Sequence, residues 1–249
     1  MVKGITAFKE YFADFTDQYV LIGGGACDIS FHDSELEFRA TKDLDIVLVA
    51  EALTVEFGNR FWDFVKAGGY QSRSRSDGSP QFYRFEKPMD STFPKMLELF
   101  ARTETILHPE AHLTPLHIDD SVSSLSAILL NNDYYQLLLA GRDVIDGISV
   151  LRPSYLLLFK AKAWLDLTEK KAAGLQVDSR DIKKHKNDVF RIAVEMVLEE
   201  DMALPQAVRS DMQIFVARLR SEGVNPGLPL LKNVSLEDIL LLLEERYCR

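Results

Sequence analysis

An apolar run that opens with two carboxylates constrains this chain most strongly. The segment DLDIVLV, residues 43–49, is apolar from Ile46 onward but begins with Asp43 and Asp45. Side chains alternate across a β-strand, so both carboxylates face the same side. Two like charges this close repel each other, and dehydrating them costs still more. A divalent cation resolves the conflict, and we expect magnesium, which prefers oxygen ligands and often bridges to phosphates.

Three consecutive glycines precede this strand. The segment YVLIGGG predicts a short strand that ends in a glycine turn at Gly23, Gly24 and Gly25, and ACDISFHDSE predicts the helix that follows. Backbone N–H groups at such a strand-to-helix turn can bind a phosphate, and glycine lets the phosphate oxygens come close. The sequence therefore predicts a phosphate-binding turn and a metal-binding pair within one supersecondary unit.

A third acidic residue, Glu98, lies in the apolar strand segment KMLELFA and needs a partner if it is buried. Each of the three features has a plainer explanation when taken alone. The glycines could form a simple turn, the aspartates could mark an exposed strand end, and Glu98 could point outward from an edge strand. Their occurrence together, in this order, favours a combined metal and phosphate site.

The order of predicted elements indicates an α+β protein. Strands and helices alternate in the first half, including a helix at TVEFGNRFWDFVKAGG and a strand at QFYRFEK, which predicts a mixed-sheet domain over residues 1–125. Helical patterns fill the second half and predict a helical bundle over residues 150–249. We expect the boundary to fall within residues 121–153.

Composition limits the class of protein and of partner. The 249 residues carry a formal net charge of -9, which argues against a general basic surface for long nucleic acids. No apolar run approaches the ~20 residues that a membrane helix needs, so we expect no membrane partner. The two cysteines lie far apart in sequence and form no metal or disulfide spacing, so we expect a cytoplasmic protein.

The combined pattern resembles a known superfold. Gly-Gly before a helix, then Asp-x-Asp on a strand, then an acid on a later strand, resemble the nucleotidyltransferase superfold of DNA polymerase β type. The string YVLIGGGACDISF…FRATKDLDIVLV is similar to the AbiEii/AbiGii nucleotidyltransferase-like toxin family and its uncharacterised relatives. The resemblance is good over residues 19–50 and fair near Glu98. The catalytic and metal-binding residues that it implies are Asp43, Asp45 and Glu98.

The helical half carries a weaker part of the resemblance. The segments FKAKAWLDL and KKHKNDVFRI resemble the lysine-bearing helix and the Lys/Arg-x-x-Asp-like segment of such proteins, through Lys160, Lys162, Lys184 and Asp188. Lysines two residues apart diverge on a helix, so we expect at most one of the pair to reach a phosphate and the other to face solvent. An ion pair between Asp188 and Lys184 is the plainer alternative. The residues predicted to bind nucleotide are Gly23, Gly24, Gly25, Lys42, Lys160 and Lys162.

These features predict an enzyme that transfers a nucleoside monophosphate from a nucleoside triphosphate to an acceptor, with Mg²⁺ as cofactor. The acceptor, a small molecule, an RNA or a protein, stays open. The alternative is a non-catalytic module that binds a nucleotide or a protein on the same fold. A toxin with a cognate antitoxin protein and an enzyme that modifies small molecules both remain compatible with the sequence.

Overall fold

The computed structural model describes residues 2–31, 43–74, 80–101, 128–129, 131–195, 202–223 and 234–249. The chain forms two compact units. The first comprises Met1–Ser121 with Arg142–Arg152, and the second comprises Val122–Gly141 with Pro153–Arg249. Each unit is therefore built from two separate stretches of chain. Between residues 121 and 153 the chain enters the second unit, returns to the first and leaves it again.

The first unit contains strands and helices in alternation. Its helices are α1 (Ile5–Phe12), which continues into a short 3₁₀ turn (Ala13–Phe15), α2 (Gly23–Ser30) and α3 (Val55–Gly68). Its strands are β1 (Tyr19–Ile22), β2 (Asp43–Leu48), β3 (Gln71–Ser74), β4 (Pro80–Glu86), β5 (Met96–Phe100), β6 (Arg142–Ile145) and β7 (Ile148–Leu151). The sequence patterns did not identify β3 or the β6–β7 hairpin.

Seven strands in the described part of the chain form one mixed sheet in the order β3-β4-β5-β2-β1-β7-β6. Strand β2 lies antiparallel to β1 and parallel to β5, and β7 lies parallel to β1. The remaining neighbours are antiparallel. The expected α+β class with a mixed sheet is therefore confirmed.

An aromatic core covers one face of this sheet. Helix α1 turns Phe8 and Phe12 towards Tyr19 of β1, with ring centroids 5.3 and 6.1 Å away. Helix α3 brings Phe61 to 5.6 Å from Phe85 of β4. The two helices thus pack on the face to which Tyr19 and Phe85 belong. Arg84, which precedes Phe85 in β4, is therefore directed to the other face.

Helix α3 is capped at both ends. The Thr54 hydroxyl accepts a hydrogen bond from the backbone N–H of Phe57 at 3.2 Å, which satisfies a donor of the first turn. The helix ends at Gly69, whose φ of 62° is the left-handed conformation that glycine adopts without penalty. The predicted helix and its glycine stop are both present.

The second unit is helical in its described residues. Its helices are α4 (Asn132–Ala140), α5 (Pro153–Ala172), α6 (Ser179–Glu195), α7 (Gln206–Glu222) and α8 (Leu236–Tyr247). Trp164 of α5 packs edge-on against Phe215 of α7 at 5.2 Å. Ser235 and Asp238 form the expected capping box at the start of α8. None of the helices described in either unit combines the length and the apolar character needed to cross a membrane.

Candidate metal and phosphate site

Sheet register places the predicted acids beside one another. Asp45 of β2 pairs with Ile22 at the end of β1, and on its other side with Glu98 of β5. Directly paired residues on neighbouring strands share a face and lie about 5 Å apart. Asp43 is two residues before Asp45 and therefore also belongs to this face. The structure thus brings the three predicted carboxylate residues to one face of the sheet.

The leucines that alternate with the acids along β2 and β5 belong to the opposite face of the sheet. Leu44 and Leu97 are paired with each other across β2 and β5, and both are fully buried. Phe85 of β4 pairs with Leu97 and contacts Phe61 of α3. The leucines therefore lie on the face of the aromatic core, and the acids lie on the other face, which also carries the buried apolar residues Val47 and Phe100.

Gly23 lies directly against the Asp45 carboxylate. A Cβ atom placed on Gly23 would come within 2.0 Å of Asp45 Oδ2, which is much closer than any real contact. The φ of Gly23 is 69°, a left-handed conformation that L-residues adopt only at a cost. Only glycine therefore satisfies both the backbone and the space beside Asp45.

The three glycines form the first turn of helix α2 rather than a separate turn before it. Ile22 is the N-cap residue and makes no side-chain capping bond. The first N–H groups of any helix lack partners within the helix, and they carry the positive end of its dipole. Gly23 and Gly25 are buried, whereas Gly24 is half-buried. Gly24 therefore leaves the most accessible backbone of the three.

Glu98 forms an ion pair that the sequence patterns did not predict. Arg84 of β4 is its direct antiparallel partner, and the guanidinium contacts Glu98 Oε1. The Glu98 side chain is 12% exposed and that of Arg84 is 30% exposed. The signal was present in QFYRFEK, where Arg84 precedes the core residue Phe85 in an alternating strand. Its partner could not be identified without knowing the register between β4 and β5.

The donor set of this face fits magnesium. Asp43, Asp45 and Glu98 offer carboxylate oxygens, the hard ligands that Mg²⁺ prefers. In the ranges that the structure describes, however, no three acidic, histidine or cysteine groups already stand in an arrangement that could hold a metal ion. The Glu98 carboxylate is engaged by Arg84. A cation bound by all three acids therefore requires side-chain movement at Glu98.

The lysines of helix α5 both have carboxylate partners within the second unit. Lys160 is buried and its Nζ lies 3.0 Å from Asp188 Oδ2 of α6. Lys162 contacts Asp166 at 3.1 Å and Asp211 of α7 at 3.4 Å. Neither is a lysine that simply faces solvent, which differs from the expectation for one of the pair. Lys42 lies outside the described residues.

Asp188 and His185 form the polar surroundings of Lys160. Asp188 pairs with Lys160 rather than with Lys184, because helix α6 turns Asp188 towards α5. His185 is buried, and its Nδ1 has no hydrogen-bond partner among the described residues. Burial, and then the positive charge of Lys160, lowers the pKa of His185 to about 3. Neither the Lys160–Asp188 pair nor this neutral imidazole was identified from sequence.

Comparison of the chain with protein-family models, with curated proteins and with solved structures found no match.

Proposed function

We propose that the protein transfers a nucleoside monophosphate from a nucleoside triphosphate to an acceptor, in a reaction that depends on a divalent metal. One observation carries the proposal: Asp45 is paired in register with Glu98 and packs directly on Gly23, the first residue of helix α2. Acid residues suited to a cation and the N-terminus of a helix suited to a phosphate therefore adjoin each other.

The chain's own residues divide the work between binding and proton transfer. Asp43 and Asp45 would hold the cation that accompanies the triphosphate, and the backbone N–H groups of Gly24 and Gly25 would bind phosphate oxygens. The oxygen of the acceptor hydroxyl would attack the α-phosphorus as pyrophosphate leaves, and Glu98 would accept the proton of that hydroxyl. Magnesium, when bound, supplies positive charge that neutralises the phosphates and lowers the pKa of the acceptor oxygen.

The proposal is tested by labelling. The protein is incubated with each α-labelled nucleoside triphosphate, Mg²⁺ and cell extract, and the RNA, protein and small-molecule fractions are then separated. Asp45→Asn should abolish the labelling, and Glu98→Gln should reduce it by ~10²-fold or more, as expected when a general base is lost. Equal labelling by the parent protein and by Asp45→Asn would exclude this site as the source of activity.

The fraction that gains label also addresses the biological role. Label in RNA or protein would support a toxin, for which an antitoxin protein is the expected partner. Label in a small molecule would support a modifying enzyme. The net charge of -9 favours an acceptor held by local contacts over one held by a broad basic surface.

The Arg84–Glu98 ion pair favours one alternative, a module that binds a nucleotide or a protein without turnover. An arginine already neutralises the acid that the reaction would use as its base. Calorimetry with and without Mg²⁺, run beside the labelling assay, separates the two. Magnesium-dependent triphosphate binding with no label transferred to any fraction would favour the binding module.

A further inference from the structure

The contact between Arg84 and Glu98 lies on the sheet face that carries Asp45, in the same row as Asp45. Arg84 and Glu98 are register partners across β4 and β5, and Glu98 and Asp45 are register partners across β5 and β2. The core-facing neighbours Phe85 and Leu97 pack the opposite face. The ion pair therefore takes no part in the aromatic core.

We propose that Arg84 is the resident counter-ion of Glu98 and that a divalent cation must displace it to reach this carboxylate. The inference rests on the proposed function, because it concerns the same carboxylates. A guanidinium and a metal ion compete for the same carboxylate oxygens, since each needs their negative charge. Arg84 acts through Glu98 and is a positioning residue, without contact to the reacting atoms.

The Arg84–Glu98 ion pair predicts two cation sites of unequal affinity. Asp43, Asp45 and Glu98 contribute three negative charges to this face, and Arg84 returns one positive charge. One divalent cation held by Asp43 and Asp45 leaves the Arg84–Glu98 pair intact. A second cation, held through Glu98, must first break that pair. It therefore binds more weakly than the first.

The pair also compensates the negative charge of Glu98. A largely buried carboxylate without a partner is costly, and Glu98 has its own partner across the strand pair before any metal arrives. Glu98 is therefore paired in the folded chain before any metal binds. The exchange of Arg84 for a cation makes the second site conditional on cation concentration.

Manganese binding measures this competition directly. Free Mn²⁺ is followed by electron paramagnetic resonance as the full chain is titrated, without nucleotide and without any activity readout. Four proteins form a double-mutant cycle: the parent, Arg84→Met, Glu98→Gln and the double variant. Arg60→Met is the matched control. It removes the same charge from an exposed position of helix α3, which packs on the opposite face of the sheet.

The proposal expects Arg84→Met to tighten the weaker Mn²⁺ site about tenfold, the size of one hydrogen bond to a charged group. In the Glu98→Gln background the same substitution should change the affinity of the remaining Mn²⁺ binding less than about twofold, because the contested carboxylate is gone. Equal tightening in both backgrounds, or equal tightening by Arg60→Met, would overturn the proposal by showing only a long-range field. No tightening by Arg84→Met would overturn it as well.

Two further variants keep these outcomes interpretable. If Arg84→Met does not fold by circular dichroism, Arg84→Gln removes the charge with a polar side chain and is judged by the same criterion. Asp45→Asn tests the site itself. Parent-level Mn²⁺ binding in Asp45→Asn would refute the proposed metal site. Loss of binding in Asp45→Asn, together with an unchanged affinity in Arg84→Met, would refute only the role of Arg84.

Discussion

Replacing Gly23 with alanine should destabilise the first unit through two separate effects. The left-handed φ of 69° costs an L-residue about 1–2 kcal/mol. The new methyl group would stand 2.0 Å from Asp45 Oδ2, and overpacking of this kind typically costs about 1–3 kcal/mol. The free energy of unfolding should therefore fall by about 2–5 kcal/mol in total.

The two effects separate in an Asp45→Ala background. That substitution removes the carboxylate, and the nearest remaining side-chain atom, Asp45 Cβ, lies 3.5 Å from the new methyl, an ordinary contact. The steric part should then vanish, and the backbone part of about 1–2 kcal/mol should remain. The difference between the two backgrounds is expected to be about 1–3 kcal/mol.

Urea unfolding followed by tryptophan fluorescence provides the measurement. The chain has two tryptophans, Trp62 in the first unit and Trp164 in the second. Trp164→Phe in every variant makes the signal specific to the first unit. Gly24→Ala is the matched control, because Gly24 is half-buried and its φ is not left-handed. A Gly23→Ala protein no less stable than Gly24→Ala would refute the reasoning, as would an identical loss in both Asp45 backgrounds.

Three further predictions concern both units. Gly24→Val should weaken triphosphate binding, measured by calorimetry, because a branched side chain shields the accessible N–H groups of α2; a folded variant with parent affinity would make this turn purely structural. Lys160→Met should lower the free energy of unfolding in urea by about 3 kcal/mol, because it leaves Asp188 without its buried partner. Lys162→Met should lower it by about 1 kcal/mol or less. Equal losses in the two variants would contradict the argument from burial. The pKa of His185 is about 3 in the folded chain, against 6.5 ordinarily. Between these two pH values the unfolded chain therefore binds a proton at His185 that the folded chain does not bind. Stability should fall as the pH drops below 6.5, by about 1.4 kcal/mol per pH unit from this group, and His185→Phe should remove that contribution; parallel stability-against-pH curves for parent and variant would contradict it.

Alternation within strands made part of the candidate site predictable. Asp43 and Asp45 share a face because of the period of two, and the apolar run after them identified β2 without any knowledge of its neighbours. Glu98 stands out in the sequence because an acid in an apolar strand needs a partner. The partner itself, Arg84, depends on how β4 and β5 align, and a single sequence does not encode register in a readable way.

The elements that the sequence patterns did not predict lack a clear local signal. Strand β6 is exposed at the sheet edge and lacks an alternating apolar pattern. Helix α4 begins at Asn132, capped by the Asn131 side chain, within the stretch 121–153 where only a domain boundary is expected. An asparagine that caps a helix and an asparagine in a loop look alike in sequence. Here the burial of Tyr134 and Tyr135 distinguishes the cap from a loop.

The parallel pairing of β1 with β7 affects how the protein is made. Leu21 pairs with Val150, so about 130 residues of chain are synthesised between the two partners. At about 5–20 residues per second, the ribosome needs roughly 6–26 s to cover that interval. During this time the β1 edge has no β7 to pair with, although its antiparallel neighbour β2 is already available. The nascent first unit therefore carries an open sheet edge, of the kind to which chaperones and neighbouring chains bind, until residue 151 has left the exit tunnel.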